Sequence, residues 1–153
     1  AGNTKDSGSM DMTYAQRHVI PVGDAEGHIL MLTEAVGTHQ NTGGTTFLEG
    51  FSVTIRELDD LRQGNGPQEG YVIFTNGSDG QVVRFEGMVA TVLAEDGTPR
   101  TSMKGEWAII KGSGRYEGIK GDGTYAGYFT AEDKFHVDWE GWHSLSEVFV
   151  SAR

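Results

Sequence analysis

Glu49 and His143 are the two residues whose surroundings in the sequence best suit proton transfer. If 47–57 is a strand, Glu49 lies between Phe47 and Phe51 on one face, because alternate side chains of a strand point the same way. A carboxylate on an apolar wall holds its proton more tightly than one in water, which suits a general acid or base. His143 ends a second apolar face and could share that proton. A solvent-wetted position at the rim of the fold is the alternative for both.

Two tyrosines could help such a pair. Tyr71 and Tyr125 fall on strand faces that we expect to point inward, where a phenol can donate a hydrogen bond to a substrate oxygen. Large aromatic side chains on the same faces would form the apolar walls of a small-molecule pocket. A packed core without any ligand would use the same side chains. The predicted walls are Phe51, Phe85, Trp107 and Trp139.

Other kinds of chemistry find little support. The chain has no cysteine, which removes thiolate catalysis, disulfides and cysteine zinc sites. No serine lies in a Gly-x-Ser-x-Gly elbow. His136, Asp138 and Glu140 alternate and so share one strand face, a pattern that fits a metal patch or a solvated exterior. We expect no metal and no cofactor.

Composition narrows the class of protein. The 153 residues suit one domain, and the 23 glycines favour an all-β chain with many turns. The formal charge of −10 argues against nucleic acid or an anionic membrane as a partner. No apolar run reaches the roughly 20 residues of a membrane-spanning helix. The first residue is Ala1 rather than Met, so a secreted or periplasmic location and a cytoplasmic one both stay open.

The elements that must position these residues are strands. Apolar and polar residues alternate along several segments, and Asn76-Gly77 and Asp96-Gly97 between them are strong hairpin signals. No segment shows a sustained helical period. The pattern predicts a closed antiparallel barrel of about eight strands. It spans residues 17–153, after a small, polar N-terminal arm at residues 1–16.

Two features of the predicted strands bear on what the barrel does. The predicted inward faces carry several glycines, which would leave room for a cavity. The strand 28–39 is apolar on both faces for much of its length, so its outer face predicts a homodimer or homotrimer. The inward glycines are Gly87, Gly105, Gly127 and Gly141.

The most specific motif is the glycine-rich segment 110–123, Ile-Lys-Gly-Ser-Gly-Arg-Tyr-Glu-Gly-Ile-Lys-Gly-Asp-Gly. It lacks the Gly-Lys-Ser/Thr ending of a phosphate-binding loop and reads as a compact corner between two strands. The segment resembles the glycine-rich run of allene oxide cyclases and dirigent proteins. That resemblance implies an eight-stranded antiparallel barrel that takes a small apolar or aromatic molecule. Allene oxide cyclases use an acid on the first strand, where this chain has Val19, Pro21 and Val22.

These observations lead to one functional hypothesis and two rivals. The hypothesis is a cofactor-independent isomerase, cyclase or lyase: a barrel that encloses a small, mostly apolar organic molecule and guides its cyclisation, isomerisation or elimination. The expected catalytic residues are Glu49, His143 and Tyr125, and the expected substrate-binding residues are Tyr71 and the four aromatic wall residues. The first rival is a lipocalin-like carrier without turnover. The second is a structural protein whose interior is simply packed.

Overall fold

The chain forms a closed barrel of eight antiparallel strands, as the sequence predicts. The computed structural model describes residues 3–145. Each strand pairs with the next along the chain, and the last pairs with the first. Among the residues described, no helix is long and apolar enough to cross a membrane. The strands are β1 (Thr4–Pro21), β2 (His28–Asn41), β3 (Ser52–Arg62), β4 (Gly66–Asn76), β5 (Asp79–Leu93), β6 (Pro99–Ser113), β7 (Lys120–Ala131) and β8 (Lys134–Ser144).

The prediction of an N-terminal arm at residues 1–16 is wrong, because β1 already begins at Thr4. This part of β1 lies between β2 and β8 and pairs with both. Its inward positions include Met10 and Met12, which are buried. Small polar neighbours hide that alternation in the sequence. The apolar run at 145–150 also predicts a final strand, and that run lies almost wholly outside the described residues.

One end of the barrel is closed by the loop at residues 42–51. Leu48 (φ 59°) and Gly50 (φ 75°) take left-handed backbone conformations that turn the chain inward. Leu48 and Phe51 are buried as a result. The predicted strand from Phe47 therefore begins only at Ser52, and the alternation assumed for residues 47–51 does not exist.

The glycine-rich run completes the closure of that end. After β6 it forms a single 3₁₀ turn at Gly114–Tyr116. The Tyr116 ring is buried against Phe47 and Phe51, with ring centroids 5.5 and 5.9 Å away. Ile119 is buried beside it. The four hairpin loops at the opposite end (22–27, 63–65, 94–98 and 132–133) leave the barrel open there.

We predict different costs for valine at the two positive-φ glycines of this corner. Gly118 (φ 83°) has open space around it, so Gly118→Val should lose only the roughly 1–3 kcal/mol of backbone strain. A Cβ on Gly114 (φ 63°) would also lie 2.6 Å from the carbonyl oxygen of Ser78. Gly114→Val should therefore be clearly the less stable variant in chemical denaturation. Equal stability of both variants and the wild type would show that the corner is an ordinary loop.

The inward glycines do not leave empty space, contrary to the expectation from sequence. A Cβ on Gly87 or Gly105 would lie within 2.7 Å of the Tyr125 hydroxyl. A Cβ on Gly123 or Gly141 would likewise lie within 2.7 Å of the indole of Trp107. These glycines make room for aromatic side chains of neighbouring strands, which fill the middle of the barrel.

The outer face of β2 is apolar, as predicted. Leu30, Leu32 and Val36 are each about half exposed. Leu32 lies opposite Leu58 on β3, and Leu30 lies opposite Ile20 on β1. Ile20, Leu30, Leu32 and Leu58 form one apolar surface on the barrel wall, and the Glu34–Arg56 ion pair separates Val36 from it. Self-association through this surface stays a prediction.

Candidate functional site

The candidate site is a pocket of about 980 Å³ in the open end of the barrel, referred to below as the mouth. The mouth is wide because none of the four loops at this end folds inward as residues 42–51 do at the other end. Its walls are mainly apolar and aromatic. They include Tyr14, Ile29, Met31, Leu61, Val89, Tyr128, Phe129 and Phe135.

Two carboxyl groups and one amide form the floor of the mouth. Glu57 and Asp59 occupy alternate inward positions of β3, and Gln68 lies directly opposite Asp59 on β4. All three side chains are buried, with exposed fractions of 9%, 6% and 4%. Buried carboxyl groups without a cation are uncommon because their charged form is poorly solvated. Their presence at the bottom of a mainly apolar pocket marks this floor as the candidate site.

Hydrogen bonds fix the orientation of these groups. The Tyr125 hydroxyl donates to Gln68 Oε1 at 2.7 Å. Gln68 Nε2 donates to Glu57 Oε2 at 3.1 Å. Because the amide oxygen accepts the tyrosine proton, its NH₂ group must face the carboxyl group. Tyr125 thereby positions Gln68, and Gln68 positions Glu57.

The carboxyl pair retains protons at unusually high pH. Burial, together with the adjacent Asp59, raises the pKa of Glu57 well above its usual range. Burial also raises the pKa of Asp59, although hydrogen bonds from Glu57 and Gln68 oppose the shift. Two neighbouring carboxyl groups cannot both ionise easily, so the pair holds one proton in common as pH falls. Asp59 Oδ1 is buried and has no hydrogen-bond partner among the residues described.

Three aromatic rings lie beside the pair. The centroids of Tyr14, Phe129 and Phe135 are 5.4–6.0 Å apart, and all three residues line the mouth. Burial and the charges of Glu57 and Asp59 raise the pKa of the Tyr14 hydroxyl. The acid floor and the aromatic cluster are therefore parts of one site.

A second, smaller cavity of about 60 Å³ lies beyond the floor. Glu57, Gln68, Met103 and Phe135 line both cavities and separate them. Gln81 Nε2 is buried beside the inner cavity without a hydrogen-bond partner among the described residues. Three of the predicted wall residues, Phe85, Trp107 and Trp139, line the inner cavity rather than the mouth. Phe51 is buried in the closing loop and lines neither cavity.

Glu49 does not face a cavity, which corrects the prediction for this residue. It is exposed in the closing loop, where its Oε1 atom accepts a 2.6 Å hydrogen bond from the backbone N–H of Asn41. The left-handed turns at Leu48 and Gly50 take it off the strand face that the sequence pattern assumed. Its role is to hold the loop.

His143 faces inward but at the closed end, far along the barrel from the mouth. Its ring stacks on Phe47 with centroids 3.8 Å apart, and Nε2 lies 3.5 Å from Asp6 Oδ2. Burial would raise the pKa of Asp6, but hydrogen bonds from Thr45, Ser7 and Asn41 outweigh it and lower the pKa. This cluster attaches the closing loop to β1 and β8, so Glu49 and His143 do not form a catalytic pair.

The two tyrosines differ in their placement. Tyr71 points outward, about half exposed, with the Arg84 guanidinium 5.6 Å from its ring centroid. The prediction of an inward Tyr71 is wrong because β4 turns its even-numbered residues, including Val72 and Phe74, to the interior. Tyr125 points inward, as expected, and its hydroxyl belongs to the floor network.

The histidine-containing strand face of β8 lies on the exterior. His136 Nδ1 is 2.8 Å from Asp11 Oδ1, and its Nε2 is 2.9 Å from Asp138 Oδ1. Both ring nitrogens are thus engaged with carboxylates. Within residues 3–145 no group of His, Asp and Glu side chains has the arrangement of a metal site.

Sequence reasoning missed Glu57, Asp59 and Gln68. Glu57 lies on the face of β3 that alternation correctly predicts to be inward. The sequence pattern was therefore sufficient to predict that its side chain is buried. The pair Asp59-Asp60 is typical of the start of a loop, but β3 continues to Arg62. The pairing of β3 with β4 places Gln68 opposite Asp59, with its side chain inside the barrel. No local pattern in the sequence gives that register.

We predict that the carboxyl pair makes the fold less stable as pH rises. The folded-state pKa of Glu57 lies above its unfolded value, so the native state binds more protons. This contribution to stability is present below the unfolded pKa and is lost as pH rises through the folded pKa. Glu57→Gln should therefore gain stability relative to the wild type from mildly acidic to mildly alkaline pH. Chemical denaturation of both proteins across that range tests this, and parallel curves would contradict it.

The structure thus defines a closed eight-stranded antiparallel barrel with one end shut and an acid-floored mouth at the other. No family model matches the sequence. No curated protein matches it either. A solved structure of a pterocarpan synthase dirigent protein is similar, with 11% identity, a TM-score of 0.49, and coverage of 95% of this chain and 92% of that chain. The likeness is one of fold. Dirigent proteins are one of the two families that the glycine run resembles, and the match to allene oxide cyclases remains a resemblance.

Proposed function

We propose that the barrel binds a small, mostly apolar organic molecule in its mouth and guides a cyclisation, isomerisation or elimination by proton transfer. The observation that carries this proposal is the buried Glu57–Asp59 pair at the floor of an open apolar pocket. Pockets that bind small molecules combine apolar walls with few, well-placed polar groups. Perturbed carboxyl groups in such a pocket are typical of general acids and bases.

The geometry supports separate roles for the two acids. β3 runs from the closed end to the open end, so Asp59 lies nearer the mouth than Glu57. Asp59 lines the mouth alone, whereas Glu57 also borders the inner cavity. Asp59 is therefore the group that exchanges a proton with the bound molecule. Glu57 shares the proton with Asp59, and Gln68 and Tyr125 position Glu57.

The apolar walls contribute by shape. A flexible molecule held between the mouth walls loses conformations that do not lead to reaction, and its reacting atoms stay close together. The walls also exclude water from the floor, which strengthens the effect of each charge there. If Asp59 takes a proton from one atom of the confined molecule and returns it to another, an isomerisation is complete; if it gives a proton and later takes one back, a cyclisation is complete.

A carrier without turnover is the second candidate, and the same mouth would serve it. One observation speaks for the enzyme. Two adjacent buried carboxyl groups destabilise a fold more than apolar residues of similar size would. A carrier of apolar molecules would need no such pair, whereas a proton-transfer site uses a carboxyl group whose pKa is raised in this way.

The proposal is tested by titrating labelled protein with a set of small apolar molecules and following methyl resonances by NMR. Ligands in the mouth should shift the methyl signals of Ile29, Met31 and Leu61. Leu48 and Ile119 at the closed end are internal controls and should not shift. Bound molecules are then examined for chemical change in the wild type and in Asp59→Asn. Shifts confined to the closed end or to the outer wall would contradict the proposal.

Self-association is a separate proposal that rests on the outer face of β2. We propose a homodimer or homotrimer through the apolar surface around Leu30, Leu32 and Leu58. Light scattering should give a mass two or three times the 16.6 kDa of one chain. Leu32→Glu should shift that mass toward the monomer, because a charge in an apolar interface is poorly solvated. A monomeric wild type at high concentration would contradict it.

A further inference from the structure

We infer that the ligand of the mouth carries an organic ammonium group, which binds between the Glu57–Asp59 pair and the aromatic cluster. This inference rests on the proposed function and names the class of molecule bound at the same site. It depends on three observations: an acceptor without a donor, a group of aromatic rings and the balance of charge around the floor.

The first observation is the unsatisfied acceptor. Asp59 is 6% exposed, and its Oδ1 atom has no hydrogen-bond partner among residues 3–145. A buried acceptor without a donor costs about 1–3 kcal/mol. A single proton shared with Glu57 cannot satisfy all the lone pairs of two carboxyl groups. Asp59 lines the mouth, so a bound N–H group beside its carboxyl adds a donor to a pair that is short of donors.

The second observation is the aromatic cluster of Tyr14, Phe129 and Phe135, which lines the same mouth as the acids. Aromatic rings attract cations through their negative faces, and cages of such rings recognise alkylammonium ions. Tyr14 already attracts one cation, because the Arg17 guanidinium carbon lies 4.8 Å from its ring centroid. The hydrocarbon part of the same ligand would pack on the apolar walls of the mouth.

The third observation is the charge around the mouth. Ionisable residues line it on several elements: Tyr14 from β1, Glu57 and Asp59 from β3, Arg100 from β6, Tyr128 from β7 and Glu132 from the last loop. Arg17, against the Tyr14 ring, and Arg100 bring positive charge to the mouth, but within residues 3–145 no basic side chain acts on Glu57 or Asp59. The chain as a whole carries a formal charge of −10. A cation is therefore drawn to the floor, and an anion is repelled from it.

The test compares three molecules on one skeleton: 3-phenylpropylammonium, 3-phenylpropan-1-ol and 3-phenylpropanoate. Their affinities are measured at neutral pH by NMR titration of the mouth methyl groups. We expect the ammonium ion to bind about tenfold or more tightly than the alcohol. The carboxylate should bind most weakly. The preference for the ammonium ion should weaken at acid pH, as the pair takes up its second proton.

Variants separate the local effect from the overall charge. Asp59→Asn should remove most of the preference for the ammonium ion over the alcohol. Glu86→Gln removes one acid from the exposed outer face and should preserve that preference. Phe129→Leu should weaken binding of the ammonium ion roughly fivefold with less effect on the alcohol.

The outcomes distinguish this inference from the proposed function. If the alcohol binds in the mouth as tightly as the ammonium ion, the inference is overturned and the proposed function stands. If the preference for the ammonium ion survives in Asp59→Asn, long-range charge explains it and the inference is also overturned. If none of the three molecules shifts the mouth methyl groups at millimolar concentration, the inference and the proposed function both fail.

Discussion

Asp59→Asn is expected to lower turnover by roughly 10²–10⁴-fold, the usual contribution of a positioned proton donor or acceptor. Asparagine has nearly the same shape, so the mouth should keep its form. Loss of the carboxylate that attracts an ammonium group should raise KM about tenfold, and the larger loss should fall on kcat. The fold should persist because Asp59 contributes little net stability as a buried acid. Steady-state kinetics with a molecule identified by the NMR titration provides the measurement.

Glu57→Gln separates the second acid from the first. Glutamine can still accept the hydrogen bond from Gln68, but it cannot share a titrating proton with Asp59. Activity should persist in part, and its pH profile should move to higher pH because Asp59 loses the hydrogen bond from Glu57 that lowers its pKa. A purely structural role for Glu57 would reduce activity without moving the profile.

Two matched acids serve as controls for these variants. Glu49→Gln changes an exposed acid in the closing loop, and Glu86→Gln changes one on the outer wall. Both should retain the kcat of the wild type. Full activity of Asp59→Asn, or an equal loss in all four variants, would contradict the assignment of proton transfer to the floor of the mouth.

The fold could be predicted because its signals are local. Asn76-Gly77 and Asp96-Gly97 do lie in hairpin turns, and Gly77 and Gly97 have the positive φ that such turns require. Alternation of apolar and polar residues also predicts the inward faces of β3, β6 and β8, which the structure confirms. Closure of the barrel follows from the number of strands and the need to pair both edges.

The site could be predicted only in part because it depends on pairings between distant segments. The sequence drew attention to Glu49 through two flanking phenylalanines, but those rings are buried by a loop and not by a strand. Glu57 lies on the face that alternation predicts to be inward. It is recognisable as a site residue only from its hydrogen-bond network with Gln68 and Tyr125, which are 11 and 68 positions away. The register of the strand pairs decides which side chains from distant segments meet inside the barrel. Alternation along one strand does not give that register.

The closed end of the barrel contributes mainly to stability, and the open end holds the candidate site. At the closed end, His39 is buried between the Leu48 carbonyl, to which its Nδ1–H donates at 2.8 Å, and the Trp139 indole N–H, which donates to its Nε2 at 2.9 Å. Burial lowers the pKa of His39, so the ring is neutral in this arrangement. The histidine that anchors the closing loop is therefore neutral, and both of its ring nitrogens are hydrogen-bonded. The open end instead has a buried acid, Asp59, with one oxygen unpaired among the described residues, and exposed walls.

Leu48→Ala should consequently be among the most destabilising changes in the chain, at about 2–5 kcal/mol. Leu48 is 2% exposed and packs at the centre of the closing loop. Its carbonyl oxygen accepts hydrogen bonds from His39 and from the backbone N–H of Phe51. Loss of the side chain leaves a cavity that these fixed backbone contacts prevent from collapsing.

The Leu48→Gly variant should be at least as stable as Leu48→Ala. This reverses the usual order, in which glycine destabilises a fold more than alanine does. Leu48 has a φ of 59°, where any L-residue with a Cβ is strained by roughly 1–2 kcal/mol and glycine is not. At the buried strand residue Ala35, glycine should instead cost about 0.5–1 kcal/mol in the usual direction. Chemical denaturation of Leu48→Ala, Leu48→Gly and Ala35→Gly measures both comparisons. If Leu48→Gly is less stable than Leu48→Ala, the left-handed turn that seals the barrel does not form as described, and the closed end would then need a different explanation.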